Sequence, residues 1–192
     1  GLARHRAGAV GHAGRRVSHY ALRWADDVVT RFHVFAQDQR VGEIRHEQIH
    51  ADSLHLGERR YWLRHEQAAR GTSLLARFLG KLRLDHTHVL DDGTAELARA
   101  HRHWKLLGSR DWIEFRTPGD RQPLVVSAKG LLAGDIRLHR DGTEVGTMAI
   151  TGTWRDSLSL QVPGLTVPQA ALLMLAVHRA WGNLPRTHHA FP

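Results

Sequence analysis

An ungapped internal repeat is the feature of this sequence that most constrains its fold. Residues 32–56 align with residues 136–160 at a constant offset of 104 positions. A weaker copy lies between them, around the turn sequence Asp92-Gly93-Thr94. Recurrence of an apolar strand, a polar turn, a strand, a bend and a further strand predicts an architecture assembled from similar hairpins. The identical pairs are Val41/Val145, Gly42/Gly146, Asp52/Asp156, Ser53/Ser157, Leu54/Leu158 and Leu56/Leu160.

The rest of the chain extends this pattern and then departs from it once. Short alternating segments follow one another from Ser18, which is typical of a β-meander. They are separated by turn residues such as Asp38-Gln39 and Asp141-Gly142. Near the carboxyl end, Thr166-Val167-Pro168-Gln169 has the form of a capping box, and residues 170–177 are apolar on every face. A helix that is apolar all round must be surrounded by protein. We therefore predict an all-β fold in which about a dozen short strands surround, or at least cover, a buried hydrophobic helix at 167–182. A closed antiparallel barrel would also leave no sheet edge exposed.

The repeated unit and the terminal helix together resemble the tubby C-terminal-like superfamily, which includes the phospholipid scramblases and the LURP-one-related proteins. The matching stretches are His33–Ile44, Val89–Ala100 and Ile136–Met148, followed by Pro168–Trp181. The resemblance covers roughly residues 18–184 and implies a twelve-stranded barrel threaded by a hydrophobic helix. Its motifs are structural, so no lipid-binding or catalytic residue of that superfamily is carried over to this chain.

Charge is distributed unevenly along the chain. The formal net charge is +8, and five of these charges come from arginines in residues 1–24, which contain no Asp or Glu. We predict a flexible basic arm at 1–17, one barrel domain at 18–184 and a tail at 185–192. Such an arm can contact an anionic partner, either lipid or nucleic acid. The ordinary alternative is a solvated tail.

One set of basic side chains is a candidate for binding anions, and a second polar pair is expected at the mouth of the barrel. In the segment 99–105, alternation places Arg99, His101, His103 and Lys105 on one strand face. An outward face of this kind could contact phosphate headgroups, although a solvated strand face is the more ordinary interpretation. His178 and Arg179 directly follow the apolar helix, so we expect them at the mouth of the barrel, where snorkelling into solvent or pairing with a carboxylate is the ordinary role.

Histidine pairs supply the alternative hypothesis of a metal site. His86 and His88 form one pair with period 2, and His101 and His103 form another. Two such pairs could bind Zn²⁺ or Cu²⁺ if they converged. The competing interpretation is four surface or half-buried strand histidines. Convergence around a ligand-sized pocket would favour the metal, and divergence would favour the second interpretation.

No motif in the sequence specifies a reaction. There is no cysteine, and the chain contains no nucleophile elbow, phosphate loop, dinucleotide fingerprint or zincin motif. We predict a non-enzymatic binding or scaffold module without a cofactor. The expected partners are an anionic membrane surface, approached peripherally from the cytoplasm, or another protein. The alternatives are a metal-dependent or hydrolytic enzyme with a histidine-built site, and electrostatic nucleic-acid binding by the arm, which we expect less. The lumen should be filled by residues 170–177 and hold no large ligand.

Overall fold

Twelve strands close into one antiparallel barrel in the computed structural model, which describes residues 17–25, 30–48, 51–67, 86–103, 111–129, 135–151 and 157–182. Each strand pairs with its neighbours in sequence, and β1 pairs with β12 to close the barrel. The predicted fold class is confirmed. The strands are β1 Val17–Trp24, β2 Thr30–Ala36, β3 Gln39–Gln48, β4 Ala51–Leu56, β5 Arg59–Gln67, β6 His86–Asp91, β7 Glu96–His103, β8 Trp112–Arg116, β9 Leu124–Lys129, β10 Asp135–Arg140, β11 Thr143–Thr151 and β12 Ser157–Pro163.

The predicted arm and tail lie almost wholly outside the described residues. Val17 is the first described residue and already belongs to β1, where it pairs with Pro163. The tail at 185–192 follows the last described residue, Gly182.

The sequence repeat corresponds to two similar three-stranded units, β2–β4 and β10–β12. In each unit the first hairpin contains a β-bulge. Val41 of β3 is the extra residue opposite Val34 and Phe35, and Val145 of β11 is the extra residue opposite Leu138 and His139. The bulged strand carries the repeated glycine. A Cβ on Gly42 would lie 2.1 Å from the backbone carbonyl oxygen of His55 in β4. A Cβ on Gly146 would lie 2.3 Å from the backbone carbonyl oxygen of Gln161 in β12. The repeated Val-Gly therefore marks a close strand approach that no side chain can enter.

The two hairpin turns of these units share one backbone geometry. Asp141 and Gly142 both have positive φ, at 53° and 72°, and Gln37 and Asp38 have φ of 50° and 64°. Two central residues with positive φ characterise the type I′ turn, whose twist matches that of the flanking strands. The sequence placed the earlier turn one residue later, at Asp38-Gln39, because Gln37 carries no turn signal of its own.

One helix, α1 (Val167–Val177), fills the interior of the barrel. The side-chain oxygen of Gln169 accepts a hydrogen bond from the Thr166 backbone N–H at 3.0 Å, as expected from the capping-box pattern. All residues from Ala170 to Val177 are buried. They pack against the inward-facing rows of the strands, which include Leu22, Phe32 and Phe115. The prediction that this segment occupies the lumen is confirmed.

The barrel has two unlike ends. At the end where α1 begins, most connections are tight turns, such as Gln37–Asp38 and Asp141–Gly142. At the opposite end, called the exit end here, α1 finishes and the longest inter-strand connection joins β5 to β6. Binding residues are commonly held at such an end, where long connections are supported by a rigid scaffold. No helix among the described residues is long and apolar enough to cross a bilayer.

Candidate functional site

A polar cluster lies at the exit end, where the chain leaves the barrel. The helix continues past Val177 as a π-helical turn, His178–Gly182. Wider turns of this kind occur often at functional positions. Here the turn delivers Arg179 to the rim. We name the set Arg31, His46, Asp52, His88 and Arg179 the exit cluster.

Asp52 is the centre of the exit cluster. It lies at the start of β4 and is only 1% exposed, so its carboxylate cannot rely on water for solvation. Arg179 donates a hydrogen bond from Nη2 to Asp52 Oδ2. Arg31 Nε, from β2, lies 3.5 Å from Asp52 Oδ1. A buried carboxylate is tolerated when it is paired and hydrogen-bonded. The carboxylate of Asp52 therefore connects the helix exit to strands β2 and β4.

His46, at the end of β3, is the third polar neighbour of this carboxylate. Its Nδ1 lies 3.1 Å from Asp52 Oδ1 and 2.9 Å from Arg31 Nη2. The carboxylate only accepts hydrogen bonds and the guanidinium only donates them. One imidazole nitrogen can therefore satisfy Asp52 or Arg31, but not both at the same time.

His88 forms the inner side of the cluster. It is 5% exposed and sits in β6, where its ring stacks on His65 of β5 at 4.8 Å between centroids. Burial lowers the pKa of His88 to about 2, and the charge of Arg179 adds to this effect. His88 is therefore neutral at pH 7. Since Arg179 Nη1 lies 3.3 Å from His88 Nδ1 and can only donate, Nδ1 is the acceptor and Nε2 carries the proton.

His178 is a second neutral imidazole at the same end. Burial, followed by the charges of Arg179 and Arg31, lowers the pKa of His178 to about 4. Its ring meets Phe32 edge to face at 4.9 Å. Trp24 covers the same area from the rim and is 50% exposed, the most exposed large apolar side chain in the described part of the chain. The helix exit is thus packed against aromatic rings on one side and charged groups on the other.

A small cavity of about 10 Å³ lies beside this cluster. That volume holds roughly one water molecule. It is too small for an organic substrate, and it agrees with the prediction that the lumen is filled. Its lining residues are His86, His88, Ala100, Arg102, Ile113, Ala176, Arg179 and Ala180.

The four histidines of the metal hypothesis do not converge. His88 pairs with Ala100 in the register of β6 and β7, and both line the interior. His101 instead pairs with Thr87, on the opposite face of the barrel wall, and its Nδ1 lies 2.7 Å from Thr87 Oγ1. His103 follows His101 on that outer face. Among the described residues, no group of three or more His, Asp or Glu side chains is arranged to hold a metal ion.

The outer face of β7 carries the predicted anion-binding residues, and carboxylates accompany them. Arg99 makes ion pairs with Glu66 at 3.1 Å and Glu96 at 2.9 Å. His103 lies 3.4 Å from Glu114 and stacks on Trp112. These contacts reduce the positive potential that the sequence suggested. Lys105, the fourth member of the set, lies outside the described residues.

Sequence reasoning placed Arg179 at the barrel mouth but did not identify its partners. Asp52 had a signal, since it is one of the identical positions of the repeat, yet nothing in the sequence marked it as buried. Arg31, His46 and His65 had no signal of their own. Their proximity depends on strand register rather than on spacing along the chain.

Comparison of the chain with protein-family models, curated proteins and solved structures found no match.

Proposed function

We propose that this chain is a non-enzymatic binding module whose working surface is on the outside of the barrel. The observation that carries the proposal is the filling of the lumen by α1, whose residues 170–177 are all buried. The cavity beside the exit cluster has room for roughly one water molecule. Nothing in the described part of the chain favours the enzyme alternative, because its candidate histidines lie on both faces of the wall.

The partner that we propose is an anionic phospholipid surface on the cytoplasmic side of a membrane, contacted peripherally through the basic arm. Polybasic segments bind such surfaces with about 1 kcal/mol for each Lys or Arg near the headgroups. The arm holds Arg4, Arg6, Arg15 and Arg16 without an acidic residue. In this proposal the barrel is a rigid support for the arm.

Ion pairs on the barrel wall support the proposal that the arm, and not the wall, contacts the anionic membrane surface. Exposed arginines of the wall repeatedly sit beside carboxylates, as in Arg40–Glu43 at 2.8 Å and Arg137–Glu144 at 2.8 Å. Paired charges of this kind attract an anionic surface weakly. The charges of the arm have no acidic neighbours in sequence to offset them.

Co-sedimentation with liposomes tests this proposal. The full chain should bind vesicles containing phosphatidylserine at physiological salt, should not bind vesicles of phosphatidylcholine alone, and should be released when salt is raised well above physiological strength. Substitution of Arg4, Arg6, Arg15 and Arg16 by Gln should abolish binding. Binding of single-stranded or duplex nucleic acid with higher affinity than lipid would instead favour the nucleic-acid alternative.

A control matched for charge separates the arm from the net charge of the protein. Substitution of Arg40, Arg59, Arg116 and Arg121 by Gln removes the same number of charges from exposed positions on the barrel. This variant should retain most of the lipid binding. Equal loss in the two variants would show that the arm has no special role, and binding that survives the arm substitutions would place the lipid surface on the barrel.

A further inference from the structure

The small cavity at the exit end has a lining that suits an anion. Two of its lining side chains, Arg102 of β7 and Arg179 of the helix exit, carry guanidinium groups. Two more, His86 and His88, are imidazoles, and the remaining residues are small or apolar. None of the lining residues is an Asp or Glu. A hydrogen-bond acceptor, rather than a cation, is therefore the species that this lining can hold.

Positive charge exceeds negative charge around the cavity. Arg102 pairs with Asp111, and the pair is mostly buried. Arg179 and Arg31 share the single carboxylate of Asp52. Among the described residues, three guanidinium groups thus face two carboxylates. The third guanidinium, that of Arg31, is 35% exposed and does not line the cavity, so it adds only a screened attraction for a monovalent anion.

Two N–H groups at the cavity are able to donate hydrogen bonds to an anion. The Nε–H of Arg102 is buried and has no hydrogen-bond acceptor among the described residues. The Nε2 of His88 carries a proton, because Arg179 occupies Nδ1. Hydrogen bonds to a charged acceptor are about twice as strong as those between neutral groups. The neighbouring His65 packs against both cavity histidines, with its ring stacked on His88 and tilted by 52° against His86.

The size of the cavity limits what can enter. A volume of about 10 Å³ accepts one species of roughly the size of water. Phosphate, sulfate and carboxylate ligands are larger than this, so a monatomic anion is the fitting class. We propose that the cavity between Arg102 and Arg179 binds a single halide ion, with chloride as the physiological species.

Bromide, which scatters X-rays anomalously, tests the site on the unmodified protein. Crystals of the full chain grown in or soaked with sodium bromide should show one anomalous peak between Arg102 and Arg179. A water molecule without anomalous signal in this position, or an adventitious ion only, scattered elsewhere on the surface, would overturn the proposal.

Thermal unfolding at constant ionic strength tests the same site in solution. Replacing sodium gluconate by sodium chloride should raise the melting temperature of the full chain. Above the dissociation constant, each tenfold increase in chloride should add about 3–6 °C for a chain of this size. Equal melting temperatures in the two salts would contradict the proposal.

Two variants assign the chloride response to the cavity. Ala180→Leu fills the cavity without removing a charge, and it should abolish both the bromide peak and the chloride response. Arg102→Gln should also remove the response. Arg116→Gln, which alters an exposed arginine on the outer wall, should keep it. A chloride response that persists in Ala180→Leu would place the anion at another site.

Discussion

Arg179 and Asp52 are 127 residues apart in the chain and share a hydrogen-bonded ion pair at the exit end of the barrel. The carboxylate is almost fully buried, and the guanidinium is delivered to it by the π-helical turn that follows α1. The pair therefore connects the end of the internal helix to the barrel wall. Arg31 contacts the same carboxylate from β2, so one buried charge orders three elements.

The first prediction concerns this ion pair. Asp52→Ala should lower the free energy of unfolding by about 3 kcal/mol, because it leaves two guanidinium groups without their carboxylate in a buried setting. Urea unfolding measures the change. Substitution of Asp52 and Arg179 together by Leu and Met should cost less than the sum of the single changes. Glu66→Gln, at an exposed pair with Arg99, should cost under about 1 kcal/mol. An Asp52→Ala effect no larger than that of Glu66→Gln would show that the cluster is not stabilising.

The second prediction concerns the internal helix. Leu173 is fully buried in the middle of α1. Leu173→Asp should prevent folding, because no partner is available for a charge at that position. Leu173→Met keeps the volume and should cost under about 1.5 kcal/mol. Circular dichroism and a thermal melt distinguish the two variants, and a cooperative native-like melt for Leu173→Asp would refute the central-helix arrangement.

The third prediction concerns the repeated glycines. A Cβ at Gly42 would overlap the carbonyl oxygen of His55, and one at Gly146 would overlap that of Gln161. Gly42→Ala and Gly146→Ala should each lower the free energy of unfolding by about 1–3 kcal/mol, because the strands must move apart. Gly57 lies in a turn with φ of 58° and nothing near its Cβ position. Gly57→Asn is the control, since Asn tolerates that conformation, and its melting temperature should stay close to that of the unchanged chain.

The fourth prediction concerns acid. The pKa of His88 is lowered from 6.5 to about 2 and that of His178 to about 4. Below pH 6.5 the unfolded chain binds protons at both histidines while the native chain does not, so the free energy of unfolding falls as pH falls. Each group contributes up to about 1.4 kcal/mol per pH unit. Both contribute between pH 6.5 and 4, and His88 alone continues below pH 4.

Two variants check the assignment of this pH dependence. His88→Gln should reduce the slope of unfolding free energy against pH across the range from 6.5 to below 4. His178→Gln should reduce it only above about pH 4. Urea unfolding at several pH values gives these slopes. An unchanged slope in His88→Gln would show that His88 binds nearly the same number of protons in the native and unfolded chains.

The fold was largely predictable because its signals are local. The alternating segments, the Asp141-Gly142 turn and the repeated Val-Gly each depend on residues within one hairpin. The helix was predictable because residues 170–177 are apolar on every side, which leaves only an interior position. The position of the Gln37–Asp38 turn was missed by one residue, since a positive φ at Gln37 follows from the hairpin twist and not from its side chain.

The candidate site was predictable only in part. Arg179 follows the apolar helix directly, and its pairing with a carboxylate at the barrel mouth was expected. The identity of that carboxylate was not, because Asp52 meets Arg179 through closure of the whole barrel. The histidine pairs show the same limit. Period 2 correctly groups His86 with His88 and His101 with His103, but the register of β6 and β7 decides that the two pairs occupy opposite faces.

The sequence by itself determined the strands, the repeat that includes Gly42 and Gly146, and the burial of residues 170–177. These properties follow from side-chain periodicity and backbone sterics over a few residues. Only the tertiary structure decided which charges are buried together, how the acidic groups pair with Arg99, and where a water-sized cavity remains. Such contacts join residues distant in sequence, and they depend on the strand register and closure of the barrel, which fix distances that no local pattern encodes.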